Sequence, residues 1–227
     1  MTKFLASVRD LNEVNIVLKN GADIIDLKEP ANGALGAVEL TVLKQAVDDV
    51  HGRRPVSATI GNLSMAAYPV QKAVSERFSA GVDYVKIGFF PEGDVQGTLA
   101  ALAREADADH ALVGVLFADL NPRLALLPLL ADSGFRGVML DTARKNSGAL
   151  SRHVSRIFLS NFINMAHALG MFCGLAGSLR RYDILSLLSL KPEYLGFRGA
   201  LCREGRASPI DEALTREVCA LMTHRAL

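Results

Sequence analysis

Eight times along the chain, a short run of apolar and β-branched residues is followed by a turn and a longer segment with helical spacing of apolar residues. The pattern returns about every 25 to 30 residues. The short runs, predicted to be strands, are 3–8, 23–28, 56–60, 83–89, 111–117, 137–140, 171–176 and 194–197. The segments between and after them, predicted to be helices, are 10–19, 38–50, 66–80, 94–105, 123–133, 150–169, 180–189 and 209–223.

This alternation strongly constrains the fold, because consecutive parallel strands need crossover helices and eight tilted strands close on themselves. The sequence therefore predicts an α/β protein, a single (β/α)8 TIM barrel that spans 1–227 without a linker. An open doubly wound sheet is the main alternative. The even spacing and the count of eight favour the barrel.

The charge balance argues against polyanionic partners. The chain has 25 Lys and Arg against 24 Asp and Glu, a formal net charge of +1, whereas nucleic acids and acidic membranes select clustered positive charge. The longest apolar stretch, 124–131, is far shorter than the roughly 20 residues that span a bilayer. The first residues lack a signal-peptide pattern, and the three cysteines have no metal-ligand or redox spacing. We expect a cytoplasmic protein with no nucleic-acid or membrane partner.

Charged residues interrupt the second strand, where a parallel barrel demands apolar side chains on both faces. Asp26 and Lys28 share one face of this strand, while Ile25 and Leu27 share the other. The apolar face must meet the helices. We therefore expect Asp26 and Lys28 to point into the barrel.

Two further strands bring charge to the same interior. Lys86 lies on the inward face of the fourth strand, and Asp141 ends the sixth strand, with Lys145 following in the loop. Alternate strands of an eight-stranded barrel contribute to the same layers, and barrel enzymes place their chemistry at the carboxyl ends of the strands. A single strand-end lysine is more often a solvated residue or an ion-pair partner. Two interior lysines beside aspartates favour a functional site.

Converging lysines indicate Schiff-base chemistry. A lysine amine is nucleophilic only when neutral, and neighbouring cations together with a dry cavity lower the pKa of a lysine. A neutral amine condenses with an aldehyde or ketone, and a second amine or a carboxylate then moves protons. This is the chemistry of class I aldolases.

Glycine-rich loops follow the seventh and eighth strands, the usual phosphate-binding place in this fold. The residues expected to bind phosphate are Gly177, Ser178, Gly199, Ala200 and Arg198. Another glycine-rich loop, 29–37, follows Lys28 and is either a connector or a cover for the substrate. The histidines lack metal-ligand spacing, so neither a metal site nor a cofactor is predicted.

Several segments together give the chain a specific resemblance to a known family. They are GADIIDLKEP at 21–30 followed by GALGA at 33–37, PVSATIG at 55–61, DYVKIG at 83–88, and LDT at 140–142 with Lys145. These segments resemble the (5-formylfuran-3-yl)methyl phosphate synthases, also called 4-(hydroxymethyl)-2-furancarboxaldehyde-phosphate synthases. The likeness covers nearly the whole chain.

The resemblance implies a lyase of methanofuran biosynthesis. Such an enzyme joins two molecules of glyceraldehyde 3-phosphate with loss of one phosphate and two waters. Carried over to this chain, Lys28 would form the Schiff base and Lys86 would accept the proton, with Asp26, Asp141 and Lys145 completing the site.

Two other functions stay open from the residues. A Schiff-base aldolase acting on another phosphorylated sugar would use the same lysines and retain both phosphates. A non-catalytic phosphometabolite-binding barrel would use the cations only to hold an anion. A homo-oligomer is also expected, and the apolar segment 150–169 could cover a subunit contact as readily as the barrel.

Overall fold

The computed structural model describes residues 1–105, 110–144 and 147–223. Eight parallel strands form a closed barrel in sequence order, and the first strand pairs with the eighth to close it. The strands are β1 (Lys3–Val8), β2 (Ile24–Leu27), β3 (Val56–Thr59), β4 (Tyr84–Gly88), β5 (Ala111–Phe117), β6 (Gly137–Asp141), β7 (Phe172–Leu175) and β8 (Tyr194–Phe197). The predicted barrel is confirmed.

One main helix follows each strand. The helices are α1 (Leu11–Lys19), α2 (Leu40–Val50), α3 (Ala67–Phe78), α4 (Val95–Leu102), α5 (Leu126–Asp132), α6 (Arg156–Ala168), α7 (Ile184–Leu188) and α8 (Glu212–Thr223). Several of these helices are shorter than the helical segments predicted from the spacing of apolar residues. For example, α6 begins at Arg156, because Ser155 caps it by accepting a hydrogen bond from the amide of Phe158.

The strands separate two hydrophobic layers, as the period of two requires. Outward residues such as Ile25, Val85 and Ile87 pack with the helices in the main core. Inward residues such as Leu5, Val115 and Met139 form a second, smaller cluster inside the barrel. The inward and outward faces predicted for β2 and β4 are therefore confirmed.

Helix α6 divides its apolar residues between the core and the surface. Phe162 and Ile163 are buried, whereas Ile157 is 74% exposed and Met165 is 38% exposed. The homo-oligomer stays a prediction. No helix among the described residues has the length and apolar character needed to cross a membrane.

Candidate active site

A buried ion pair lies inside the barrel. The Nζ atom of Lys86 on β4 donates a hydrogen bond of 2.8 Å to Oδ1 of Asp26 on β2. The hydroxyls of Ser57 and Ser7 donate to the same carboxylate at 2.7 and 2.8 Å. Three donors from three other strands therefore fix the carboxylate of Asp26.

The two charged groups shift each other's pKa in a low-dielectric setting. Burial alone would raise the pKa of Asp26, but the ammonium groups of Lys86 and Lys28 outweigh burial and hold it below its ordinary value. Burial lowers the pKa of Lys86, and the charge of Asp26 only partly offsets this. Lys86 is thus closer to its neutral, proton-accepting form than an exposed lysine would be.

Lys28 follows the last residue of β2 and is 7% exposed. Its side chain lines a cavity at the carboxyl end of the barrel, hereafter the carboxyl-end cavity. Among the described residues, its ammonium makes no hydrogen bond or ion pair. Its backbone is fixed, because its amide donates to the carbonyl of Val8 at 2.9 Å. A buried amine without a bonded partner faces the cavity from a rigid strand end.

Asp141 ends β6, is 2% exposed and lines the same cavity. The amide of Thr142 donates to Oδ1 of Asp141 at 2.7 Å. The negative charge of Asp141 opposes, as that of Asp26 does, the lowering of the Lys86 pKa by burial. The structure therefore brings Asp26, Lys28, Lys86 and Asp141 together, while Lys145 lies outside the described residues.

The loop after β7 reaches the carboxyl-end cavity through Gly177 and Ser178. Both have a positive φ, 105° and 49°. A Cβ at position 177 would lie 2.9 Å from the side chain of Thr142, so glycine is required there. For a serine, the left-handed backbone is strained, and such strain is concentrated at functional sites.

Arginines that were not predicted flank the loop after β8. A Cβ at Gly199 would lie 4.0 Å from a guanidinium nitrogen of Arg180 and 3.9 Å from Cβ of Arg206. Gly199, Arg180 and Arg206 all line the carboxyl-end cavity. Arg206 also donates to the carbonyls of Pro30 and Gly33, at 2.7 and 3.1 Å. It therefore joins the loop that follows Lys28 to the loop that follows β8.

Arg198 lines the cavity, but its guanidinium has other partners. It forms a buried ion pair with both carboxylate oxygens of Glu13 on α1. It also donates to the carbonyls of Arg206 and Ser208, at 2.8 and 2.9 Å. These contacts hold the β8 loop against α1. Direct contact of Arg198 with phosphate stays a prediction, as does the role of Ala200, which lies buried in the turn after Gly199.

Two other polar residues near the site hold loops in place. Asn62 accepts a hydrogen bond from the amide of Leu35 at 3.1 Å. Asp119 accepts two, from the amides of Ala143 and Arg144, each at 2.7 Å. These carboxylate and amide oxygens therefore fix the loops after β2 and β6.

Sequence reasoning missed Ser7, Ser57, Arg180 and Arg206. The two serines could have been found, because both are polar residues on the inward faces of otherwise apolar strands. The two arginines lie in loops, where no periodicity predicts the direction of a side chain.

Solved structures with the same architecture include phosphoribosyl anthranilate isomerase from Thermus thermophilus. Its TM-score is 0.69 at 14% identity, and the match covers 98% of each chain. A 3-hexulose-6-phosphate synthase gives 0.68 at 19% identity and covers 98% of this chain and 100% of the other. At these identities the likeness shows the fold. The chain is thus a member of the (β/α)8 TIM-barrel class.

Sequence comparisons give the family within that class. The family model described as 4-HFC-P synthase matches residues 4–219. A (5-formylfuran-3-yl)methyl phosphate synthase of Methanosarcina acetivorans is 30% identical, covering 96% of this chain and 98% of that protein. A Methylorubrum extorquens protein provisionally given the same name is 36% identical, covering 97% and 91%. The chain belongs to the (5-formylfuran-3-yl)methyl phosphate synthase family.

Proposed function

We propose that this protein is a lyase that condenses two molecules of glyceraldehyde 3-phosphate into (5-formylfuran-3-yl)methyl phosphate, through a Schiff base on Lys28. This product is the same compound as 4-(hydroxymethyl)-2-furancarboxaldehyde phosphate. The observation that carries the proposal is that Lys28 lines the carboxyl-end cavity, has no hydrogen-bond or ion-pair partner among the described residues, and interacts electrostatically with the Asp26–Lys86 pair. Membership of the family supplies the product.

The overall reaction balances. Two triose phosphates contain six carbons and two phosphates; loss of one phosphoric acid and two waters leaves a six-carbon furaldehyde with one phosphate ester. No oxidant or reductant is needed. The chemistry therefore requires carbon–carbon bond formation, elimination and dehydration. Each of these steps involves proton transfer, which lysine and carboxylate side chains can catalyse.

Lys28 is the proposed nucleophile. One triose phosphate rearranges to its ketone form and condenses with the Lys28 amine, losing water to give an iminium ion. The positive nitrogen then withdraws electrons from the neighbouring carbon and acidifies its C–H bond. The rigid anchoring of Lys28 at the end of β2 fixes the position of this electron sink.

Lys86 is the proposed base. It reversibly removes the proton from that carbon, and it also removes the C2 proton of the second triose phosphate, so that the C–H electron pair forms a C2=C3 double bond as phosphate leaves C3. The C3 carbon of the resulting enol then attacks the iminium carbon on Lys28, which gives the branched carbon skeleton of the product. Asp26 stabilises the ammonium that Lys86 becomes, because it accepts the Lys86 hydrogen bond. Asp141, with Lys145, would then move protons during phosphate elimination and ring closure.

The loops after β7 and β8 are the proposed phosphate sites. Backbone amides of Gly177, Ser178, Gly199 and Ala200 would bind phosphate oxygens, as such loops do in barrels of this kind. Arg180 and Arg206 would add charge-assisted hydrogen bonds, because both line the cavity beside Gly199. Arg198 would act there directly or through its support of the loop.

Incubation with glyceraldehyde 3-phosphate as the only substrate tests the proposal. The expected result is release of one inorganic phosphate for each furan product, followed by furan absorbance and by mass. Product that retains both phosphates would indicate an aldolase instead. Binding of the substrate without any product would indicate a phosphometabolite-binding barrel. The reaction would supply methanofuran biosynthesis in the cytoplasm, without a cofactor.

A further inference from the structure

A second cavity opens at the opposite end of the barrel, hereafter the amino-end cavity. Inside the barrel it is lined by Leu5, Ile24 and Val113, and at its mouth by Lys3 and Glu193. The aromatic side chains of Tyr84 and Phe172 point inward there, yet both are partly exposed. The amino-terminal end of this barrel is therefore open rather than filled by side chains.

Lys86 and Ser57 lie at the inner end of this cavity. Both line it, and both contact Oδ1 of Asp26, the carboxylate at the centre of the buried cluster. Lys28 instead lines the carboxyl-end cavity. The two lysines thus open toward opposite ends of the barrel, while their charges still interact.

Two polar groups in the amino-end cavity, the Lys86 ammonium and the Tyr194 hydroxyl, can still form hydrogen bonds with water. The Lys86 ammonium has three N–H bonds, of which one is used by Asp26. Tyr194 also lines the cavity and is 3% exposed. The Nζ atom of Lys86 lies over its ring, 5.9 Å from the ring centroid. The hydroxyl of Tyr194 has no hydrogen-bond partner among the described residues. Because the other walls of the cavity are largely apolar, water in it would be ordered along these few polar groups.

We propose that Lys86 exchanges its proton with solvent through the amino-end cavity, so that substrates enter at one end of the barrel and protons leave at the other. The inference rests on the proposed function, in which Lys86 accepts a substrate proton. In this step the Lys86 ammonium formed by that transfer breaks one N–H bond. The electron pair stays on nitrogen, and the proton passes to water in the cavity and leaves as hydronium.

This arrangement has a functional reason. Two triose phosphates filling the carboxyl-end cavity would block the path from Lys86 to solvent at that end. A separate exit lets the base be reset while the intermediates stay covered. Without it, the abstracted proton would return to the carbon from which it came.

The test measures hydrogen exchange at the reacting carbon. Wild-type protein is incubated with dihydroxyacetone phosphate in D₂O, and the wash-in of deuterium at the hydroxymethyl carbon is followed by NMR. Borohydride trapping on Lys28 measures Schiff-base formation in the same samples. Ile24→Phe places a larger side chain in the amino-end cavity. If this variant fails to fold, Tyr84→Trp, which narrows the mouth of the cavity, is used instead.

We expect either variant to lose deuterium wash-in severalfold while borohydride trapping at Lys28 is unchanged. The primary isotope effect for exchange of a labelled substrate should also shrink, because escape of the proton then limits the rate instead of C–H cleavage. A disturbed Lys86 would slow cleavage itself and leave that isotope effect large. Ile157→Phe, the same substitution on the exposed face of α6, is the matched control and should match the wild type.

Unchanged wash-in in a folded Ile24→Phe or Tyr84→Trp variant would overturn the inference, and so would slower wash-in with a full isotope effect. Failure of the proposed function looks different. In that case the wild-type protein itself shows neither trapping at Lys28 nor exchange.

Discussion

The Nζ atom of Lys86 lies 2.8 Å from Oδ1 of Asp26, and both side chains are almost completely buried. An ion pair in such a place costs desolvation energy that an apolar pair would not. The barrel keeps it and adds hydrogen bonds from Ser7 and Ser57 to the same carboxylate. This arrangement fits a base that must change its charge during a reaction, and it supports predictions about both catalysis and stability.

Lys28→Arg should reduce turnover of glyceraldehyde 3-phosphate to background while the protein stays folded. Arginine keeps the positive charge at the carboxyl-end cavity, but a guanidinium does not form an imine. Phosphate release and furan mass measure turnover, and circular dichroism measures folding. Lys44→Arg, on the exposed face of α2, is the control and should retain full activity. An active Lys28→Arg variant would exclude the Schiff base at this position.

Lys86→Met should remove the acid sensitivity that Asp26 gives the wild-type protein. In the native protein the pKa of Asp26 is below its unfolded value, so the stability that Asp26 contributes is present above about pH 4 and is lost as the pH falls through the folded pKa. Without the Lys86 ammonium, burial raises the folded pKa of Asp26. The variant, which is destabilised at neutral pH, should then recover stability as the pH falls through this raised pKa, because the folded state takes up the proton before the unfolded state does.

Denaturant unfolding at a series of pH values tests this. At neutral pH, removal of one partner of a buried pair should cost about 3 to 5 kcal/mol. Lys72→Met removes an exposed partner of Glu76, at 4.0 Å, and serves as the control. That exposed pair should be worth about 1 kcal/mol or less. Equal acid sensitivity in the two variants would contradict the described coupling.

How much of the site the sequence could predict depends on the kind of element. Strand periodicity correctly predicted that Asp26, Lys28, Lys86 and Asp141 share the interior, because a side-chain period of two leaves no other arrangement in a barrel. Periodicity does not give the pairing register, in which Asp26 lies beside Ser57 and Lys86 beside Thr59. The contact between Asp26 and Lys86 therefore needed the structure.

The partners of side chains in loops could not be predicted from the sequence. Arg198 follows a strand and is predicted to bind phosphate, and only the structure shows that its guanidinium binds Glu13, a residue 185 positions away in the chain. Arg206 lies in an irregular segment, and only the structure shows that it reaches the carbonyls of Pro30 and Gly33. Long-range partners decide the direction of such side chains, and no local pattern encodes them.

Arg206→Gln should weaken phosphate binding. Loss of hydrogen bonds to a charged group costs about 1.5 to 3 kcal/mol, which corresponds to about a ten- to hundredfold increase in Kd. Titration with inorganic phosphate by calorimetry measures this directly. Arg203→Gln, in the same loop but paired with Asp211 at the surface, is the matched control and should bind phosphate as the wild type does. Unaltered phosphate binding by the Arg206→Gln variant would show that Arg206 does not bind phosphate.

Glu13→Gln should lower stability through Arg198. The substitution leaves the buried Arg198 guanidinium without its counter-charge, and the expected loss is about 3 to 5 kcal/mol in the free energy of unfolding. Glu217→Gln removes an exposed partner of Arg181 and should cost about 1 kcal/mol or less. Equal stability of the two variants would show that the Glu13 contact does not hold the β8 loop.

The central claim is that Lys28 forms a covalent imine with a triose phosphate. Borohydride reduction in the presence of glyceraldehyde 3-phosphate, followed by peptide mass spectrometry, tests it most directly. The account predicts a stable adduct of triose phosphate mass on Lys28 that disappears in Lys28→Arg. An adduct on another lysine, or none while furan product still forms, would contradict it.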